Sequence, residues 1–154
     1  NEFQAGTPID ALPTFTPPRE TAQSDPDRAK RFPLRMISPK SHAYLNSQYG
    51  NLERQIHVAG VQSVLIHATD AAARGIADGT SVRVYNERGE ATAVATLSDD
   101  VMAGLVVMPM GYWLDAQQTG TVNALNSGRL ADYGGAPTFS DNSVEIEAKT
   151  TAIA

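Results

Sequence analysis

From residue 34 onward the chain is written in short stretches of alternating apolar and polar residues. Ser81–Tyr85 sets Val82 and Val84 against Arg83 and Tyr85. Ala91–Leu97 sets Ala91, Ala93, Ala95 and Leu97 against Thr92, Val94 and Thr96. Ser143–Lys149 turns Val144 and Ile146 one way and Glu145 and Glu147 the other. Successive side chains of a strand point to opposite faces, so this period of two predicts strands with one buried face. Leu34–Ile37 is apolar and compact, Ser63–His67 carries Val64 and Ile66 on one face, and Leu105–Met110, apolar on both faces, predicts a central strand. Between two of the strands, Asn86-Glu87-Arg88-Gly89 predicts a hairpin turn, with Gly89 free to take a left-handed conformation. Thr69–Gly75 predicts a short helix with Thr69 as N-cap, Asp70 at the positive end and Gly75 as its stop. A second short helix is expected at Thr121–Asn126. Short strands, small helices and tight turns together predict a closed or nearly closed β-barrel.

The first 33 residues are different. They hold six of the nine prolines, and proline fixes φ and lacks a backbone donor. Residues 1–33 are therefore expected to be an extended arm, and residues 34–154 the body. Leu12, Phe15 and Phe32 could anchor the arm as a strap. It begins Asn1-Glu2-Phe3-Gln4, without an initiator Met or a signal pattern, and is expected to be cut from a longer chain.

Composition removes several kinds of protein. With 42% hydrophobic residues, the 154-residue chain can bury one core. No apolar run approaches the about 20 residues needed for a membrane helix. A net charge of −5 gives no footprint for nucleic acid. The absence of cysteine excludes disulfides, thiolate metal sites, iron–sulfur ligation and thiol catalysis within this chain.

Candidate chemistry is concentrated in a few loops. Residues 37–51, ISPKSHAYLNSQYGN, gather Ser38, Lys40, Ser41, His42, Asn46, Ser47, Gln48 and Asn51 just after a strand. Such a set can match the alternating donors and acceptors of a pterin or purine edge, and Lys40 can offset negative charge. An ordinary polar surface loop has the same composition. Trp113, the only tryptophan, is a core filler by default and otherwise a wall of a ligand cleft at the end of a strand. Asn123 could cap the second helix or hydrogen-bond a ligand. His42, His57 and His67 lack the spacing of a zinc site, and His67, between a strand and a helix, is expected to be structural. Asp99-Asp100 reads as a solvated turn. Signatures of serine hydrolases, aspartic proteases and Gly-rich nucleotide loops are absent.

Taken in order, LRMISPKSHAYLNSQ (34–48), IHATDAAARGIADGTSVRVYNERGEA (66–91), AGLVVMPMGYW (103–113), VNALNSGRLAD (122–132) and APTFSDNSVEIE (136–147) resemble the C-terminal dinucleotide-binding domain of the molybdopterin oxidoreductases. That family includes formate dehydrogenases, nitrate reductases and dimethyl sulfoxide reductase. The resemblance covers roughly residues 11–149. It implies a mainly β fold, a six-stranded double-psi β-barrel with short helices. It further implies contact with the pterins of bis(molybdopterin guanine dinucleotide), carrying molybdenum or tungsten in the parent enzyme. Ser38, Lys40, His42, Asn46, Ser47 and Gln48 fall in its first contacting segment, Trp113 near the second, and Asn123 and Asp132 in the third. Its metal ligand belongs to an upstream domain, so the partners implied are upstream domains of the same parent chain. No cofactor and no catalysis are expected of the isolated fragment. The ISPKSH segment is nearest a formate dehydrogenase-like anaerobic dehydrogenase. A stand-alone barrel serving as an interaction or adaptor module is the main alternative. A small barrel enzyme is a third reading, without a visible nucleophile–base pair or metal cluster.

Overall fold

The computed structural model describes residue 12 and residues 14–114, 120–131 and 134–149. Six strands form: β1 (Leu34–Ile37), β2 (Ser63–Ile66), β3 (Ser81–Tyr85), β4 (Glu90–Leu97), β5 (Leu105–Val107) and β6 (Asn142–Ala148). Among the described residues three helices accompany them, α1 (Pro26–Arg31), α2 (Glu53–Ala59) and α3 (Ala68–Ala72), with a 3₁₀ turn at Val122–Ala124. The strands close in the order β1-β5-β2-β4-β3-β6, and β6 pairs back to β1. β1 runs parallel to β5 and β2 parallel to β4, whereas the other four pairs are antiparallel. Exchanging β1, β2 and β3 for β4, β5 and β6 leaves every neighbour and direction unchanged. The barrel is thus two interlocked three-strand halves, the double-psi arrangement.

The interior is filled by alternate residues of each strand. Leu34, Met36, Val64, Ile66, Val82, Val84, Val106, Met108, Val144 and Ile146 are all buried. β4 buries Ala91, Ala93 and Ala95, between the larger side chains of β2 and β3, and adds Leu97, partly buried, at its end. A barrel this narrow holds large residues from two neighbouring strands only if the strand between them supplies small ones. Among the described residues, no helix is long and apolar enough to cross a membrane.

Several expectations shift in detail. β5 ends at Val107, before Pro109, which cannot donate to a ladder. Its chain still follows β1: Met108 N–H bonds to Ile37 O at 3.0 Å and Met110 N–H to Pro39 O at 2.9 Å. α3 is capped by His67 rather than Thr69, its Nδ1 accepting from Thr69 N–H at 3.2 Å. That is the structural role expected of this histidine. The predicted helix at 121–126 is a single 3₁₀ turn. The hairpin 86–89 forms, but Gly89 is not left-handed. A Cβ there would lie 2.8 Å from the Ala124 carbonyl oxygen, so close approach is what asks for glycine.

The arm is corrected most. Pro26–Arg31, placed by the proline argument in an extended segment, is α1. Pro26 stands at the start of the helix, where a missing N–H costs nothing, and Asp25 caps it through Arg28 N–H. Leu12 and Phe15 are 76% and 81% exposed, so neither is buried against the barrel among the described residues. Phe32 is buried and meets Tyr85 edge-to-face at 6.3 Å. The second anchor is Glu20, only 5% exposed. Its carboxylate pairs with Arg28 at 2.9 Å and Arg88 at 2.7 Å, and accepts from Ser143 N–H at 3.0 Å. Asp141 in turn accepts from the Arg19 and Glu20 amides at 2.8 and 3.1 Å.

Candidate functional site

The loop after β1 and the loop after β5 are built as one assembly. Parallel pairing carries Ser38–Lys40 alongside Met108–Met110, with Lys40 bridged to Met110. Beyond it, Tyr44 turns inward and meets Tyr112 edge-to-face at 5.6 Å. The Tyr112 hydroxyl donates towards Ala59 O at 3.1 Å and Val61 O at 3.3 Å, tying the end of α2 to the same assembly. Trp113 lies against the backbone of Gly50, and its indole N–H bonds to Ser47 O at 2.6 Å. A tight turn, Gln48 N–H to Leu45 O at 2.9 Å, presents Asn46 and Ser47 at its tip, with Asn46 at φ 54° and Tyr49 at φ 72°. Positive φ at an aromatic residue is uncommon and persists only where the surroundings hold it.

Burial, and then the neighbouring Tyr44, push the Tyr112 hydroxyl above a tyrosine's ordinary value, and burial does the same for Tyr44. Both phenols therefore favour their neutral forms in the fold. Their contribution is complete below the ordinary tyrosine pKa and is lost as pH rises through the folded value. Replacing Tyr112 by phenylalanine is expected to cost about 1 kcal/mol, the net worth of a shared hydrogen bond. The check is a lower urea midpoint at unchanged slope. An unchanged midpoint would mean that the hydroxyl contributes nothing net.

Ser47, Tyr112, Trp113, Leu114, Gly120, Thr121, Asn123 and Ala124 line one concavity of about 640 Å³. The structure thus brings Ser47, Trp113 and Asn123 to a common surface, although they come from three separate segments. Trp113, 39% exposed, is a cleft wall rather than a core filler. It also borders a second concavity with Tyr44, Ile56, His57 and Val61. Lys40, His42, Asn46 and Gln48 are exposed on the first loop and lie outside the lining of the first concavity. Ser38 is buried beneath the loop, and its Oγ has no hydrogen-bond partner among the described residues. Asp132 lies outside the described residues. Sequence reasoning missed Thr121 and Leu114 in the lining. It also missed Gln62, whose buried Nε2 donates to Thr92 O at 2.8 Å and Gly120 O at 3.3 Å. A lone glutamine beside a strand carries no signal of such a role.

The lining has hydroxyl and amide groups beside the flat faces of Tyr112 and Trp113, and no charged side chain among the described residues. This is a donor and acceptor set for a flat, neutral, hydrogen-bonding ring system. No group of three or more His, Asp or Glu among the described residues is placed to hold a metal ion.

Residues 34–143 match the family model described as "Molydopterin dinucleotide binding domain". The chain is 37% identical over 138 residues to "Probable oxidoreductase YoaE" of Bacillus subtilis, covering 89% of this chain and 19% of that protein. It is 32% identical over 151 residues to "Dimethyl sulfoxide reductase DmsA" of Escherichia coli, covering 95% of this chain and 18% of that one. The chain thus spans about a fifth of the length of these curated relatives. Among solved structures, acetylene hydratase from Pelobacter acetylenicus superposes with a TM-score of 0.78 over 92% of this chain and 22% of its own, at 21% identity, and so shares the fold.

Proposed function

The chain belongs to the molybdopterin dinucleotide-binding domain family, and from that membership we propose that the concavity of Ser47, Trp113 and Asn123 holds the pterin end of such a cofactor within a larger oxidoreductase. The observation that supports the reading is that Ser47, the Tyr112–Leu114 stretch and the Gly120–Ala124 turn share one hydrogen-bonding surface, with no charged side chain among the described residues. A pterin edge needs neutral donors and acceptors, whereas a diphosphate needs cations, so this surface suits the pterin part. Thr121 and Asn123 would bond its edge, and Trp113 would bound its face. Ser38, Lys40, His42, Asn46 and Gln48, on or under the same first loop, and Asp132 complete the proposed contacting set, with Lys40 offsetting negative charge.

The cofactor proposed is bis(molybdopterin guanine dinucleotide) carrying molybdenum or tungsten, which supplies the redox chemistry when bound. This chain's part is to bind and orient it. The matching stretch is about a fifth of each relative described above, which favours a domain of a longer enzyme over a stand-alone adaptor. One of those relatives bears a sulfoxide reductase name, and the formate dehydrogenase-like assignment draws no support from either.

The test is cofactor content in the longer enzyme carrying this sequence, read by pterin fluorescence after oxidation and by metal analysis. Asn123→Ala and Trp113→Ala are expected to lower it severalfold, with the far-ultraviolet circular dichroism unchanged. Full loading in both variants would overturn the reading.

A further inference from the structure

We propose that Arg88 couples the arm to the Asn123 turn, so that Glu20, a buried residue of the arm, sets where Asn123 stands. The inference rests on the reading that this turn borders the cofactor site.

The turn has little of its own to hold it. It is three residues of 3₁₀ helix without a side-chain cap, closed by Ala124 N–H to Thr121 O at 2.9 Å and Leu125 N–H to Val122 O at 3.1 Å. Val122 and Leu125 are buried, so Asn123 stands out between two fixed residues. One side of the turn is tied at Gly120 O by Gln62. The other is tied at Leu125 O by two donors, Asn86 Nδ2 at 2.9 Å and Arg88 Nε at 2.8 Å.

Arg88 is the donor that reaches beyond the barrel. Its two terminal nitrogens grip the Glu20 carboxylate at 2.7 and 3.2 Å, and Nη2 also reaches Asn142 Oδ1 at 3.2 Å. A guanidinium is rigid and planar, so a two-point grip on a carboxylate fixes its plane and hence the direction of its Nε–H. Glu20 is itself held by Arg28 and by Ser143 N–H. Arg88 also has a competing partner in Glu87, 3.2 Å from Nη1 and more exposed than Glu20. Without the Glu20 carboxylate, the guanidinium is free to swing towards Glu87 and its Nε–H leaves Leu125 O. Asn86 remains, so the turn loosens without unfolding. Arg88 and Glu20 are positioning residues: neither lines the concavity.

The experiment is amide hydrogen exchange on the 154-residue chain, comparing Glu20→Gln, Arg88→Lys and the double variant. Glu20→Gln keeps the shape and removes the charge; Arg88→Lys keeps the charge and removes the fork. Each is expected to lower protection at Ala124 and Leu125 about tenfold, the scale of one charge-assisted hydrogen bond. The amides of Ala71 and Ala73 in α3, bonded to His67 O and Thr69 O outside this network, should change less than twofold, whereas the barrel amides of Val64, Val84 and Val106 follow the variant's global stability. The double variant should add little to either single one, because both break the same link. Unchanged exchange at Ala124 and Leu125, or an equal fall at Ala71 and Ala73, overturns the coupling. Cofactor content of the longer enzyme separates this from the site reading. Loss in Glu20→Gln alongside loss in Asn123→Ala supports both, whereas full loading in Asn123→Ala together with shifted exchange overturns the site reading and leaves the coupling standing.

Discussion

Replacing Gly111 by alanine is expected to cost about 3 kcal/mol of stability and to take apart the wall of the candidate site. Gly111 has φ 111°, a conformation that L side chains rarely adopt. The added Cβ would lie 2.6 Å from the Asn46 carbonyl oxygen and 3.2 Å from the Tyr44 side chain. Strain and overlap act together here, and the overlapped atom is backbone, which cannot rotate away. The loop has no slack either, since Asn46 is already left-handed and the turn is closed from Gln48 to Leu45. The expected response is that Tyr44–Ser47 lifts from the strand below. That breaks the Trp113–Ser47 bond and the Tyr44–Tyr112 contact. Because Trp113 is the only tryptophan, its emission reports the loop alone. Alanine should shift that emission to the red and lower the urea midpoint, while far-ultraviolet circular dichroism keeps the barrel signal. Wild-type emission together with a wild-type midpoint would refute the argument.

How far the site could be read from the sequence follows from the same geometry. The strands were legible because each buries one face, and burial on one face of a strand writes itself as alternation. α2 was not, because none of its residues is buried; Ile56 and Val58 stand exposed. α1 was hidden by its own proline, which reads as a breaker unless it falls at the first helical position. The polar character of the first loop was visible in its composition. Which of its residues share a surface with Asn123 was not, because that depends on the left-handed Asn46, on Gly111 beneath it and on a turn some seventy residues away. Glu20 was the least legible: a single acid among prolines looks solvated until Arg28, Arg88 and Ser143 are brought around it.

The arm is accordingly expected to be part of the folding unit, and Glu20→Ala should cost about 3 kcal/mol. The carboxylate is buried and lies between two guanidiniums that are themselves mostly buried. Removing it leaves two like charges facing each other across the space it filled, and an unpaired buried charge costs more than a pair gains. Ser143 loses a partner for its N–H as well. Glu87 softens the loss, since it pairs with both arginines. The measurement is again the urea midpoint, with two companions. Glu87→Ala, at the half-exposed edge of the same network, should cost under about 1 kcal/mol. Adding Arg28→Met to Glu20→Leu should recover part of the loss, because an apolar replacement of a buried pair is tolerated better than half of one. A chain starting at residue 34, where the family match begins, should lose at least as much as Glu20→Ala, since it lacks Phe32 and the Asp141 contacts too. If Glu20→Ala unfolds at the wild-type midpoint, the arm rests on the barrel without contributing to it.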